Sequence, residues 1–171
     1  MKRPKLLSIA LDAGASNVDA ALYATTVSVS GGAADHGRAS GVARSDDGVL
    51  ALDLRMPRDL GGDGMGTNPE QLFAAGYAAC FHGALVSLAE RHGIAVRGAT
   101  VDVTVSFRRD PVDGLFTLAA RVSVRMPGVA PRLARQLLRN AERICPYTKM
   151  VRQGIESSVV LDPGEAAPQQ P

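Results

Sequence analysis

The stretch GTNPEQLFAAGYAACFHGALVSLAERHG, residues Gly66–Gly93, reads as one long helix, and its reading decides the fold. Thr67 or Asn68 supplies an N-cap, and Pro69 suits the first helical position, where no amide hydrogen is needed. Glu70 falls in the first turn, where a carboxylate meets the positive end of the macrodipole. Leu72, Phe73, Gly76, Ala79, Cys80, Gly83, Ala84 and Ser87 recur at three-and-four spacing and predict one helical face, with Gly93 as the C-terminal stop. Cys80 stands in the middle of that face, among the small residues Gly76, Ala79, Gly83 and Ala84. A stripe of such small side chains admits a second backbone, or leaves room for a ligand beside the sulfur.

Upstream of this helix, Leu22–Ser30 alternates and is rich in β-branched residues, which predicts a strand. Gly31–Gly37 turns the chain, Arg38–Arg44 forms a second strand, Asp46-Asp47-Gly48 is a tight turn and Val49–Arg55 a third strand, together an antiparallel meander. The Gly-rich loop Met56–Gly66 lacks the lysine and spacing of a phosphate-binding loop. Downstream, Thr100–Arg108 and Leu115–Arg125 alternate around a turn at Asp110–Gly114 and form a hairpin. Pro131–Ile144 is an amphipathic helix with Leu133, Leu137, Leu138, Ala141 and Ile144 on one side. Cys145-Pro146 ends it, because a residue before proline avoids helical geometry, and Pro146–Gln153 begins a short new helix. Ile155–Leu161 (IESSVVL) is expected as a last strand.

Strands and helices are grouped rather than alternating, which argues for an α+β fold. The central helix is apolar around much of its circumference, so it needs cover on several sides. The expectation is a homodimer in which two such helices are buried together. Residues 1–20 read as an N-terminal extension, 21–161 as the folded domain and 162–171 as a polar, disordered tail.

Composition narrows the function. At 171 residues the chain fits one domain with a real core. A formal net charge of +2, scattered arginines, no Trp and only 4% aromatic residues argue against a nucleic-acid partner. The basic Met1–Lys5 followed by apolar Leu6–Leu11 is too short for a signal peptide and is interrupted by Asp12, and no later stretch reads as a membrane span. The expected compartment is the cytoplasm, where two cysteines are more often catalytic, redox-active or simply buried than a permanent staple.

Cys80 alone is equally a small buried hydrophobe, and a thiol in an apolar pocket has a raised pKa and is inert. A reactive Cys80 needs a nearby cation, and a second sulfur if its oxidised form is to be recovered without another thiol. Cys145, at the N-cap of a short helix, is a candidate for that sulfur and equally a buried cysteine at a helix junction. Arg38 is a candidate for the cation and equally an exposed hairpin arginine, while Glu70 is equally a dipole-favouring acid. Zinc is disfavoured: there is no C-x-x-C or H-E-x-x-H, Cys80 and His82 do not face each other on a helix, and His36 and His92 read as solvated. No serine stands in a G-x-S-x-G context.

With these residues in view, TNPEQLFAAGYAACF around Cys80 and CPYT at Cys145 resemble the organic hydroperoxide resistance family, the Ohr branch of the Ohr/OsmC proteins. The lead-in GGDGMGTNPEQLF, Gly37-Arg38 and the SDDGVL turn at Ser45–Leu50 share the likeness, which spans roughly Tyr23–Leu161. Met1–Ala20 has no counterpart in the family pattern. The resemblance implies an OsmC-like α+β fold, with antiparallel sheets wrapped around a long central helix in an intertwined homodimer. It implies a thiol-dependent peroxidase reducing alkyl and fatty-acid hydroperoxides to alcohols, with Cys80 peroxidatic, Cys145 resolving through a Cys80–Cys145 disulfide, Arg38 activating and Glu70 holding Arg38. It implies recycling by the dihydrolipoyl group of a lipoylated protein and no metal or haem. The small, apolar surroundings of Cys80 suit an organic R group better than hydrogen peroxide. Two other readings stand beside this one: an OsmC-type peroxidase of broader peroxide preference, and a non-catalytic lipid-binding or redox-sensing dimer.

Overall fold

The central helix forms where its local signals place it. In the computed structural model, which describes residues 21–32 and 40–162, α1 runs over Pro69–Arg91. Asn68 is its N-cap: the Gln71 amide donates to Asn68 Oδ1 at 2.9 Å and the Asn68 amide to Gln71 Oε1 at 3.2 Å, a reciprocal capping box. Pro69 takes the first helical position. At the other end Gly93 adopts φ 65°, and the amides of Gly93 and Ile94 return to the carbonyls of Glu90 and Ala89 at 3.0 and 2.9 Å, so the last carbonyls are satisfied by a Schellman closure.

The face of α1 that enters the core differs from the expected one. Tyr77, Phe81, Leu85, Leu88 and Ala89 are buried, whereas Ala79, Gly83 and Ser87 of the small-residue stripe are exposed. The larger side chains win because they remove more apolar surface from water; full burial of Phe81 or Leu85 contributes about 1.5–3 kcal/mol each. At 23 residues α1 is also long and apolar enough, by length and composition, to cross a membrane, which corrects the expectation that no later stretch is. Here the apolarity of its Tyr77–Ala89 side is used in packing.

Four elements cover that side. Strands β4 (Thr100–Arg109) and β5 (Phe116–Arg125) pair antiparallel, and the directly opposed pairs Val101–Val124 and Val103–Val122 pack against the buried face of α1. Helix α2 (Pro131–Ile144) brings Leu137 and Ala141 fully into the core, with Leu133, Leu138 and Ile144 half-buried, as its periodicity predicts. Helix α3 (Pro146–Gln153) follows and lies against both α1 and α2.

The upstream meander is a separate antiparallel sheet, β1 (Val27–Ser30), β2 (Gly41–Ser45) and β3 (Ala51–Leu54), in that spatial order. Gly48, at φ 74°, takes the left-handed position in the turn between β2 and β3. The sheet is tied to the start of α1 by backbone hydrogen bonds from Arg55 to Thr67 (2.8 Å) and from Thr67 to Asp53 (2.9 Å). β1 begins five residues later than expected, and Val27 and Val29 stay exposed.

One expected element is absent. Ile155–Leu161 is not a strand and Val159, Val160 and Leu161 are exposed. Alternation shows that a segment can pair, but pairing needs an edge, and among the described residues no edge of this chain meets it. Residues 1–20, the Gly31–Gly37 turn beyond Gly32 including His36, the start of the second predicted strand including Arg38, and the tail after Asp162 lie outside the described residues.

Candidate active site

Two local rules bring the cysteines together. Cys80 sits on α1 one turn after Tyr77 and is half-buried against the core cluster. Cys145 is both the C-cap of α2 and the N-cap of α3: Pro146 bars it from helical geometry, so it adopts φ −71° and ψ 117°. Its amide still closes α2 on the Ala141 carbonyl at 2.9 Å, while its own carbonyl accepts from the Lys149 amide at 3.2 Å and starts α3. The break therefore changes the chain direction without leaving either helix end open, and it turns the side chain inward. Cys145 is 0% exposed, and its Sγ donates to Cys80 Sγ across 3.5 Å. Both are free thiols, adjacent but unbonded.

The backbone N–H of Tyr147, in the first turn of α3, favours the thiolate form of Cys80. Sequence reading places Cys145 alone at the positive end of this helix; an N–H of the same turn also acts on Cys80. Burial pushes the Cys80 thiol above its ordinary pKa, the Tyr147 amide opposes that by favouring the thiolate, and the neighbouring Cys145 thiol raises it again. Burial wins, so these groups alone leave Cys80 protonated at neutral pH, and activation calls for a cation.

Arg38, the expected cation, lies outside the described residues. Glu70 is half-buried in the first turn of α1, ten positions before Cys80. That spacing is about 15 Å along the helix axis, with a different facing, so α1 does not itself bring the two together. His82 is exposed, and its two-residue spacing from Cys80 puts it on another face of α1.

The aromatic residues beside the thiols carry no sequence signal of chemistry beyond their place in the quoted motifs. Tyr77 and Tyr147 stack with centroids 5.9 Å apart, and Phe73 meets both rings at 6.1 and 6.2 Å. The Tyr77 and Thr148 hydroxyls share a buried hydrogen bond of 3.2 Å. Gly76 explains itself here: a Cβ at that position would stand 2.6 Å from Tyr147 Oη. A cleft of about 440 Å³ between α2 and α3, lined by Glu142, Arg143, Lys149 and Arg152 among others, contains neither cysteine.

An α+β chain with one thiol on a long central helix and a second at a helix junction beside it has the architecture of the OsmC-like proteins, whose family model matches residues 61–160. The chain belongs to that family, in its organic hydroperoxide resistance branch. It is 38% identical over 141 residues to organic hydroperoxide resistance protein OhrB of Bacillus subtilis (strain 168), covering 82% of this chain and 98% of that protein. To the organic hydroperoxide resistance protein of Xanthomonas axonopodis pv. citri it is 38% identical over 127 residues, 73% of this chain and 88% of that one. The crystal structure of an organic hydroperoxide resistance protein from Legionella pneumophila matches with a TM-score of 0.70 at 38% identity, over 79% of this chain and 93% of that one. The crystal structure of B. subtilis OhrB gives 0.66 at 38% identity, over 78% and 93%.

Proposed function

We propose that this chain is a thiol-dependent peroxidase that reduces alkyl and fatty-acid hydroperoxides to alcohols. The observation that carries the reading is the 3.5 Å approach of two free thiols, one half-buried and one fully buried, in a chain whose relatives are named for organic hydroperoxide resistance. The Cys80 thiolate attacks the terminal peroxide oxygen, the O–O bond breaks, and the alkoxide takes a proton and leaves as the alcohol. Cys80 is then a sulfenic acid. The Cys145 sulfur displaces its hydroxyl as water and forms the disulfide. An external dithiol, a dihydrolipoyl group on a lipoylated protein, reopens the bridge by exchange and is itself oxidised.

Arg38 supplies the cation that offsets the burial of Cys80 and stabilises the departing alkoxide, and Glu70 holds Arg38 in place. The catalytic unit is residues 21–161, acting in the cytoplasm as an intertwined homodimer. Two features support the dimer: the exposed Ala79, Gly83 and Ser87 of α1, and the exposed, strand-patterned Ile155–Leu161, which meets no edge among the described residues. The axial separation of Glu70 and Cys80 supports a site shared between subunits, with Glu70 of one chain serving Cys80 of the other. The test of the activity is stopped-flow consumption of cumene hydroperoxide against hydrogen peroxide with dihydrolipoamide supplied. Faster turnover of cumene hydroperoxide is expected. Equal rates would move the chain toward a broader OsmC-type preference, and no turnover would leave a binding or sensing dimer.

A further inference from the structure

One short piece of chain acts on Cys80: the Cys145 sulfur lies 3.5 Å from it, and the Tyr147 N–H two residues further on favours its thiolate. Their placement depends on how α3 sits on α1, and α3 is only eight residues long. Pro146 fixes its first residue but does not set its height or rotation against α1. A pair next to the sulfurs is placed to do so. Tyr77 lies three residues before Cys80 and Thr148 three after Cys145, so each shares a helical face with its cysteine. Their hydroxyls meet at 3.2 Å with the residues 5% and 3% exposed. The tyrosine ring is clamped in turn by its stack on Tyr147, whose hydroxyl lies where a Cβ at residue 76 would stand only 2.6 Å away. A hydrogen bond shut away from water leaves a stranded polar group if either partner is removed or moves. It therefore favours one register of α3 over its neighbours.

We propose that Tyr77 and Thr148 are positioning residues of the reaction: their hydrogen bond sets the register in which α3 holds the Tyr147 amide and the Cys145 sulfur against Cys80. The two hydroxyls bond to each other and the two sulfurs to each other. The pair acts on two separate events, the readiness of the Cys80 thiolate and the closure of the disulfide. The second of these rests on the peroxidase reading above; the first does not, because alkylation of a thiol needs no peroxide.

The experiment compares Thr148→Val, Thr148→Ser and Tyr77→Phe with the unaltered protein. Valine keeps the shape and loses the hydroxyl, whereas serine keeps the hydroxyl. In reduced protein, iodoacetamide labelling of Cys80 is followed against pH by peptide mass analysis. Thr148→Val and Tyr77→Phe should label about tenfold more slowly at pH 7, the loss expected when one hydrogen bond to the thiolate is weakened, with the profile displaced to higher pH. Thr148→Ser should stay near the unaltered protein. After one equivalent of cumene hydroperoxide, disulfide closure should slow in the same two variants and recover with serine. A general loss of stability would lower the melting temperature of both Thr148 variants without ordering them by hydroxyl. The proposal is overturned if folded Thr148→Val labels with the unaltered pH profile, or if Thr148→Ser is as impaired as Thr148→Val. It is also overturned if Thr148→Val and Tyr77→Phe both fail to fold, because the pair then serves stability alone. If the unaltered protein ignores the peroxide, the peroxidase reading fails while the labelling result still decides the positioning role.

Discussion

Oxidation by one equivalent of cumene hydroperoxide should raise the melting temperature of the chain by about 8–16 °C. The figure follows from where the two thiols lie. Cys80 and Cys145 are 65 positions apart in sequence but 3.5 Å apart in space. Closing a loop of that length removes about 4 kcal/mol of conformational freedom from the unfolded chain in the chain-entropy account. For a domain of this size each kcal/mol moves the midpoint by about 2–4 °C. The native state contributes little opposing strain. A disulfide needs its sulfurs about 2.05 Å apart, and the remaining approach calls for side-chain rotation about the Cα–Cβ bonds, because α3 already packs against α1 with the two sulfurs 3.5 Å apart. The assay is thermal unfolding at one protein concentration, since assembly also shifts the midpoint. Intact mass reports the loss of two hydrogens, dihydrolipoamide should reverse the gain, and Cys145→Ser should show none. A disulfide confirmed by mass with an unchanged or lower melting temperature would refute the reasoning, because the folded chain would then have to distort to bring the sulfurs together.

Four further outcomes are expected. Cys80→Ser should abolish peroxide consumption, while Cys145→Ser should permit one oxidation and then pass on to sulfinic acid; an unchanged thiol count in the unaltered protein after peroxide would contradict both. Arg38→Ala should slow alkylation of Cys80 at neutral pH, with Lys restoring it in part, and an unaltered pH profile would remove Arg38 from the mechanism. In that variant burial keeps the Cys80 thiol above its ordinary 9.0, so the fold holds a proton that the unfolded chain has released. Its reduced form should therefore lose stability as pH rises past that value, and pH-dependent urea unfolding checks the sign. Gly76→Ala puts a Cβ 2.6 Å from Tyr147 Oη; overpacking of about 1–3 kcal/mol should exceed the roughly 1 kcal/mol that alanine adds to a helix, and urea unfolding giving a net gain would show that the ring yields freely. Finally, inactive Cys80→Ser chains mixed with weakened Glu70→Ala chains should exceed the mean activity of the two parents if the site is shared, and exchange without any gain would assign each site to one chain.

Which of these features sequence alone reveals depends on how local their causes are. Asn68, Pro69 and Gly93 mark the ends of α1 because capping is settled within four residues, and Cys145-Pro146 marks the α2–α3 junction for the same reason. The β4–β5 hairpin is legible because its valines alternate and its turn is short. The buried side of α1 is not read correctly by periodicity alone: small residues recur as regularly as Tyr77, Phe81, Leu85 and Leu88, and only weighing side-chain volume separates the two stripes. Ile155–Leu161 fails as a predicted strand because its partner is not specified by its own residues. The two sulfurs are visible as candidates, but their 3.5 Å approach is a tertiary fact. The Tyr147 amide is invisible, since every residue but proline carries one, and Tyr77 and Thr148 look like ordinary filler until their hydroxyls meet.

The complete burial of Cys145 beside a half-exposed Cys80 also bears on how such molecules wear out. On the peroxidase reading, oxidants arriving from solvent should meet Cys80 rather than the buried Cys145, and irreversible damage is expected at that one position. A population that has met more peroxide than its reductant could match should carry sulfinic and sulfonic acid at residue 80 while residue 145 remains a thiol. The ratio of the two states at one position would then record the oxidative history of the cell in a form that proteolysis and mass analysis can read, and the untouched neighbour would serve as the internal standard.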